Sequence, residues 1–308
     1  MKTILRFNIL SVIILIFFVL LSSCRAKTDV IPQKTDDGCG ERTVPPQSLK
    51  TDVAWIVMEW NCKPGGYGSG FLIDKENGAF YTNKHVVNEF DSYGKGSHKI
   101  YFNGKFYNAE IVKVPPLRDA AIIRITDEFD SSEFPEPAPI AKEKVKVGDV
   151  VIDEGFHVHP YLIVESKKGQ GYDETIIPIW DKYYNLGTKN VDKRTEIVFE
   201  RITGKVSKIN DYADFGDRTT VGEARDLVNT YTIVKADKDH MLSFGGLSGS
   251  VVRNTKGEIV GIFTMGPPKE FEEGERMGDI QFLKRVYKTF GFTPIESVAD
   301  LRQYIGKR

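Results

Sequence analysis

Short apolar runs alternate with turn residues along most of the chain, and helical spacing is absent until its end. The first series of runs is AWIVMEW, GSGFLI, AFYTN, KIYFNGKFYNAEIVKV and AAIIRI, and the second is VKVGDVVI, ITGKVSKI, NTYTIVKA, GSVVRNT and EIVGIFT. Runs of this length, rich in β-branched and aromatic residues, are typical of β-strands. The pattern predicts an all-β fold built from two successive sets of strands, over residues 51–140 and 141–290.

Turn and capping residues add detail to this prediction. The pair Asn103-Gly104 and the segment 254–257 (NTKG) each separate two apolar runs, as tight hairpin turns do. Near the C-terminus Thr293 has the chemistry of an N-cap, and Pro294 suits the first position of a helix. We therefore expect a helix within residues 291–308.

A polar, aromatic-rich stretch interrupts the second set of strands near residues 162–200. An unstructured loop of that length is uncommon in a compact domain, so we expect an insertion with some order of its own. Its aromatic residues Trp180, Tyr183 and Tyr184 are interpreted as local packing. A contact with a partner specific to this protein is the alternative.

The N-terminus has the pattern of an export signal. Lys2 and Arg6 precede an apolar run at residues 9–21, which is short for a membrane-spanning helix. The run ends in Leu-Ser-Ser-Cys, which resembles the lipobox of bacterial lipoproteins. That resemblance implies removal of residues 1–23 and lipidation of Cys24, and a single uncleaved membrane anchor is the alternative. Residues 24–50 are polar and are predicted to be a flexible tether.

Charge and cysteine content narrow the class of protein. The formal net charge is −1 for the whole chain, and removal of Lys2 and Arg6 with residues 1–23 makes it −3. The chain has no excess of basic residues, so nucleic acid is not predicted as a partner. Beyond Cys24, the remaining cysteines are Cys39 and Cys62, which either pair in an oxidising compartment or remain free thiols.

Three polar residues carry the candidate chemistry. Ser248 lies in the glycine-rich segment FGGLSGS, but a serine is a poor nucleophile without a base and a group that stabilises the oxyanion. His85 follows an apolar run, and its imidazole has a pKa suited to general-base catalysis. Asp119 begins an apolar run, where a carboxylate needs a partner. Taken singly, each residue is better explained as an ordinary loop or turn residue.

The three segments together resemble trypsin-like peptidases, particularly those of the HtrA/Deg type. The resemblance lies in GSGFLI followed by TNKHVV, in DAAIIRI, and in GGLSGSVV followed by GEIVGIFT, and it extends over most of residues 51–290. It implies two six-stranded barrels and a triad of His85, Asp119 and Ser248. The backbone N–H groups of Gly246 and Ser248 would form the oxyanion hole.

The same resemblance implies a polypeptide substrate, no cofactor and no metal in the reaction. By analogy, substrate specificity would come from the residues before the serine and from the following strand, with a small or apolar side chain before the scissile bond. The candidate substrate-binding residues are Leu242, Ser243, Phe244, Thr264, Met265 and Gly266.

Two features favour other interpretations. The family often has Asn or Asp where this chain has Leu247, which allows a catalytically silent, lipid-anchored binding module as the rival function.

The histidines of His157-Val158-His159 would lie on one face of a strand, where a pair can bind a metal. No third ligand follows at a telling spacing, so we interpret them as ordinary surface or loop residues and predict no metal site.

Overall fold

The computed structural model describes residues 33–34, 39, 41–45, 49–88, 96–116, 118–160, 173–186, 195–211, 231–240, 244–265 and 287–306. The predicted signal segment, Cys24 and most of the predicted tether lie outside the described residues. Two short strands, β1 (Gln33–Lys34) and β2 (Glu41–Arg42), pair ahead of the main fold. None of the helices in the described residues is long and apolar enough to cross a membrane.

Six antiparallel strands close into a first barrel. They are β3 (Val53–Trp60), β4 (Lys63–Asp74), β5 (Ala79–Thr82), β6 (Ser97–Phe102), β7 (Lys105–Lys113) and β8 (Ala121–Ile125). Their order around the barrel is β3-β4-β5-β8-β7-β6. A short helix, Lys84–Asn88, follows β5, and a 3₁₀ turn, Ser131–Glu133, follows β8.

The second barrel also has six strands. They are β9 (Val150–Pro160), β11 (Thr195–Asp211), β12 (Tyr231–His240), β13 (Val251–Asn254), β14 (Ile259–Met265) and β15 (Tyr287–Pro294). The order β11-β12-β15-β14-β13-β9 is closed by antiparallel pairing of β11 with β9. These two barrels confirm the predicted all-β fold.

The apolar run Val53–Met58 of β3 follows from its position between two cores. Ala54 and Ile56 face the interior of the first barrel. Val53, Trp55 and Val57 face the opposite way, into a cluster shared with residues of the second barrel such as Phe156 and Ile262. Since alternate residues of a strand point to opposite faces, a strand with both faces covered must be apolar throughout.

The predicted insertion has order of its own and contacts the first barrel. It contains β10 (Asp173–Ile177), which pairs with β11, and a helical turn, Ile179–Lys182. The Tyr183 ring stacks on Phe106 at a centroid distance of 3.8 Å, and Trp180 and Tyr184 pack edge-on against Trp55. These aromatic residues therefore pack between the two barrels. Barrel strand β11 begins at Thr195, within the range predicted for the insertion.

The prediction of a flexible tether over residues 24–50 is wrong for its described C-terminal part. Cys39 forms a disulfide with Cys62, which fixes this segment beside the first barrel. Arg42 is buried and pairs with Glu59 at 2.7 Å. The Glu59 carboxylate also contacts Lys99 and accepts a hydrogen bond from the Tyr184 hydroxyl. A polar composition therefore concealed a segment that is anchored by one disulfide and one buried ion pair.

The C-terminal helix is of the 3₁₀ type and begins one residue later than the capping residues indicate. Two 3₁₀ segments, Ile295–Ser297 and Ala299–Tyr304, follow β15 directly. Thr293 is buried in β15, where its hydroxyl bonds that of Thr264 in β14 at 2.8 Å, so it is not available as a cap. The Tyr81 hydroxyl donates to the Val298 carbonyl at 2.9 Å, which ties this terminus to the first barrel.

Candidate active site

His85 and Asp119 form a close pair at one edge of the first barrel. His85 lies in the short helix after β5, and Asp119 lies just before β8. The His85 Nδ1 atom is 2.7 Å from Asp119 Oδ2, and the His85 backbone N–H donates to Asp119 Oδ1 at 3.0 Å. The Asp119 side chain is 9 % exposed and that of His85 is 38 % exposed. The carboxylate is thus enclosed while the imidazole retains access to solvent.

Asn83 and Thr82 hold this edge in place. The Asn83 side-chain amide donates to the Asp119 carbonyl at 2.9 Å, and the Thr82 hydroxyl donates to the Ser69 carbonyl at 2.7 Å. Both side chains are fully buried. The sequence analysis did not assign a role to either residue, although both belong to the segment TNKHVV that carries the family resemblance.

Ser248 lies in the loop between β12 and β13, against the first barrel. Its carbonyl oxygen accepts a hydrogen bond of 2.7 Å from the backbone N–H of Ser69 in β4. A Cβ atom placed on Gly68 would be 2.6 Å from Val86 Cγ2 and 2.7 Å from the Ser248 carbonyl oxygen. Only glycine allows this approach. The residue after His85 and the backbone of Ser248 therefore meet at Gly68, which brings the two halves of the predicted triad to one place.

The Ser69 hydroxyl contacts both the serine loop and strand β9. Its hydroxyl donates to the Phe156 carbonyl at 2.9 Å, accepts from the Phe156 N–H at 2.8 Å, and lies 3.3 Å from the Gly246 carbonyl oxygen. Ser69 is fully buried. No role was predicted for Ser69 from the sequence, because its only indication there is its position between two glycines in GSGFLI.

Gly246 and Ser248, the predicted oxyanion-hole residues, lie on either side of Leu247 in the serine loop. Among the described residues no acceptor receives a hydrogen bond from the backbone N–H of Gly246 or of Ser248. Gly246 has a φ of +98°, which a residue with a side chain rarely adopts, and a Cβ atom there would lie 3.0 Å from His157 Cα. Glycine at this position therefore allows both the turn and its close packing on β9.

Leu247 points into the second barrel. It is fully buried among apolar residues of that core, and its backbone carbonyl accepts from the Ser250 N–H at 2.8 Å. Gly155 provides the space, since a Cβ atom there would lie 2.8 Å from Leu247 Cδ2. The departure from the family pattern is thus an apolar anchor beneath the loop.

Ser250 has a partner deep in the same barrel. Its hydroxyl donates to Asp153 Oδ1, and both residues are fully buried. Burial raises the pKa of the Asp153 carboxyl well above its usual range, and the opposing effect of the Ser250 hydrogen bond is smaller. Burial in the barrel therefore favours the protonated form of Asp153 more than it would be favoured in water.

The predicted substrate-binding residues divide into three groups. Leu242, Ser243 and Gly266 lie outside the described residues. The side chains of Phe244 and Thr264 are buried: Phe244 stacks on the His240 ring at 4.7 Å, and the Thr264 hydroxyl bonds that of Thr293. These two side chains face the interior and are not available to a substrate. Met265 is the last residue of β14 and pairs with Gly291 of β15, whereas the register of β14 with β13 extends only to Ile262.

His157 and His159 are fully buried in β9, so the interpretation of both as surface or loop residues is wrong. The strand places both side chains on the face that also carries Glu200 of β11. Neither histidine is part of the His85 and Asp119 pair.

Comparisons with known proteins agree with this geometry. The family model described as a trypsin-like peptidase domain matches residues 68–262. No protein of curated function matches the sequence.

Two solved structures are similar in fold. The Rv3671c protease from M. tuberculosis in its active form is 18% identical over 84% of this chain and 82% of its own, with a TM-score of 0.48. The serine endoprotease from Yersinia pestis is 19% identical over 83% of this chain and 62% of its own, with a TM-score of 0.46. At these identities the likeness concerns the fold alone.

Proposed function

Because the chain belongs to the trypsin-like peptidase family, we propose that it is a serine endopeptidase that cleaves peptide bonds in proteins through His85, Asp119 and Ser248. The observation that carries this proposal is the double contact of the Asp119 carboxylate with the His85 ring and backbone. The convergence of Val86 and Ser248 on Gly68 supports it, since this brings the serine loop to the histidine.

In the proposed mechanism each group has one role in acyl transfer. A carboxylate only accepts hydrogen bonds, so the His85 nitrogen facing Asp119 carries the proton, and Nε2 is left to accept the proton of Ser248. Ser248 Oγ then attacks the substrate carbonyl carbon and forms an acyl-enzyme, and His85 returns the proton to the leaving amine. The N–H groups of Gly246 and Ser248 stabilise the oxyanion. Water hydrolyses the acyl-enzyme with His85 again as the base.

Substrate binding involves the backbone more than the side chains proposed from the sequence. The end of β14, from Thr264 to Met265, offers a strand edge to which an extended polypeptide can pair. With Phe244 and Thr264 buried, Leu242, Ser243 and Gly266 remain the candidates for contact with substrate. Preference for a small or apolar residue before the scissile bond remains part of the proposal.

We further propose that the protein is exported and lipid-anchored through Cys24 at the bacterial cell envelope, facing the periplasm or at the outer membrane. The Cys39–Cys62 disulfide supports export, because disulfides persist in oxidising compartments. The test is Cys24→Ala, with Cys24→Ser as a second variant. Both variants should leave the membrane fraction, and retention equal to wild type would contradict lipid anchoring.

A fluorophosphonate probe tests the peptidase proposal directly, because it reacts only with an activated serine. The wild-type chain should be labelled, Ser248→Ala should not, and Ser97→Ala, at an exposed position, serves as the control that keeps its label. Absence of label on folded wild-type protein would reject the peptidase and favour the silent binding module. A cleavage profile on a peptide library then identifies the residue preferred before the scissile bond.

A further inference from the structure

Four side chains that can each offer a ligand atom to a metal meet inside the second barrel, away from the predicted triad. They are His157 and His159 of β9, Glu200 of β11 and His240 of β12, and all four are buried. The ligand atoms that these residues offer lie within 4.8 Å of one another. Strand β11 pairs with both β9 and β12, so the closure of the barrel brings the four together.

The Glu200 carboxylate is the centre of the cluster. Its Oε2 atom lies 2.7 Å from His157 Nε2 and 2.8 Å from His240 Nε2. The same carboxylate oxygen therefore contacts one imidazole from β9 and one from β12.

The His159 ring completes the group from the other side. Its centroid is 3.7 Å from that of His157 and 5.4 Å from that of His240. The strand register pairs His159 with Glu196, which is also fully buried. Two buried carboxylates thus lie on this face of the sheet beside three imidazoles. A divalent cation would balance the charge of both carboxylates while the imidazoles stay neutral.

The donor set selects the metal. Three imidazole nitrogens and one carboxylate oxygen suit zinc, which binds four such ligands in a tetrahedron. An ion with bonds of about 2.0–2.1 Å holds its ligand atoms roughly 3.3–3.4 Å apart. Binding therefore requires the two closest contacts of Glu200 to open by about half an ångström, and a pair at the 4.8 Å limit to close by about 1.4 Å.

We propose that His157, His159, Glu200 and His240 bind one zinc ion in a closed site inside the second barrel. Because the protein supplies all four ligands and buries them, the ion is structural and takes no part in hydrolysis. The site goes beyond the proposed peptidase function and does not depend on it.

The position of the cluster indicates what the ion stabilises. The His240 ring stacks on Phe244 at 4.7 Å, and Gly246 packs against the backbone of His157. Phe244 and Gly246 belong to the loop that carries Ser248. Zinc would therefore fix β9, β11 and β12 beneath the serine loop, and its removal should loosen that loop first.

The test begins with the metal content of the wild-type protein. The full chain is extracted in detergent with an affinity tag that contains no histidine, exposed to zinc, dialysed, and analysed by mass spectrometry for metals. We expect about one zinc per chain, together with a rise in melting temperature on addition of zinc to chelator-treated protein. Replacement by cobalt should give the visible absorption of a tetrahedral ion. A folded wild-type chain that retains no zinc and melts at the same temperature with and without it would overturn the proposal.

Variants then assign the ligands. Glu200→Gln and His159→Gln, each close in size to the original, should lose the bound zinc, while His98→Gln in the first barrel should retain it. Bound zinc in both ligand variants at the wild-type level would reject the assignment. Fluorophosphonate labelling of the same samples separates the two proposals, since zinc without label preserves the metal site and label without zinc preserves the peptidase.

Discussion

The backbone N–H of Ser69 donates to the carbonyl oxygen of Ser248 at 2.7 Å, so a strand of the first barrel holds the serine loop of the second. The Ser69 hydroxyl adds contacts to both backbone polar groups of Phe156 and to the carbonyl of Gly246. One buried residue therefore connects the loop, the strand β9 beneath it, and the barrel that carries His85 and Asp119.

Replacement of Ser69 by Ala should weaken both stability and the reactivity of Ser248. The change removes the hydroxyl from buried backbone groups of Phe156, which costs about 1–3 kcal/mol. For a domain of this size each kcal/mol lowers the melting temperature by about 2–4 °C. Thermal melting and the rate of fluorophosphonate labelling are the measurements. Ser207→Ala, which removes an exposed hydroxyl, is the control, and a Ser69 variant that behaves like it would contradict the assigned role.

Replacement of Asp119 by Asn should slow hydrolysis with little effect on folding. The Asn oxygen can still accept the N–H of His85, but the amide nitrogen facing the ring favours the wrong tautomer. In triads of this kind the loss in kcat is about 10⁴-fold. Hydrolysis of a peptide substrate, with kcat and KM determined separately, is the measurement. Asp127→Asn is the control, and an Asp119 variant with the kcat of wild type would show that His85 is oriented by other groups.

The buried Asp153 predicts a specific dependence of stability on pH. Burial raises its pKa in the folded state above the ordinary value of 3.8, so the stabilising effect is complete below that value and decreases as the pH rises through the folded pKa. Each pH unit in that window removes about 1.4 kcal/mol from the free energy of unfolding. Asp153→Asn lacks this loss.

Urea unfolding of wild type and Asp153→Asn between pH 4 and pH 8 tests this prediction. Relative to wild type, the variant should gain stability steadily as the pH rises above about 4. Asp149→Asn, at an exposed position, should run parallel to wild type over the same range. If the Asp153 variant also runs parallel, the carboxyl group is ionised in the folded state.

The disulfide makes a separate prediction about stability. Cys39 and Cys62 are 23 residues apart in sequence, and a cross-link that closes a loop of this size restricts the unfolded chain by about 3 kcal/mol. Replacement of both cysteines by Ser should lower the free energy of unfolding by about that amount. The denaturation midpoint in urea is the measurement, with the single variants compared to the double. A midpoint unchanged by the double replacement would mean that the noncovalent contacts of Arg42 and Pro45 hold the N-terminal segment without help from the disulfide.

Much of the fold was predictable because its determinants are local. The turn at Asn103-Gly104 has both residues at positive φ, as the sequence pair indicates, and the apolar runs coincide with the strands of both barrels. The motifs around His85 and Asp119 were recognisable because each residue adjoins a strand whose pattern is apolar. The burial of both faces of β3 could likewise be predicted from its uninterrupted apolar run.

The remaining features depend on contacts between distant residues. Glu200 and His240 join His157 and His159 only because the second barrel closes through β11, and neither lies in a local motif. Only two of the four residues, His157 and His159, were therefore recognisable as a pair from the sequence. Phe244 was interpreted as a substrate contact because it precedes Ser248, whereas the apolar core of the barrel takes its side chain. Partners of this kind are determined by barrel closure and not by spacing along the chain.

The aromatic residues of the insertion have a consequence for how the site is controlled. Trp180 and Tyr184 pack against Trp55, Tyr183 stacks on Phe106, and the Tyr184 hydroxyl donates to Glu59 of β3. A hinge rotation of one barrel against the other would have to separate these stacked rings and expose the charge they cover. These contacts oppose such a rotation, so we expect a change between resting and working enzyme to involve local rearrangement of the segment from Phe244 to Ser250.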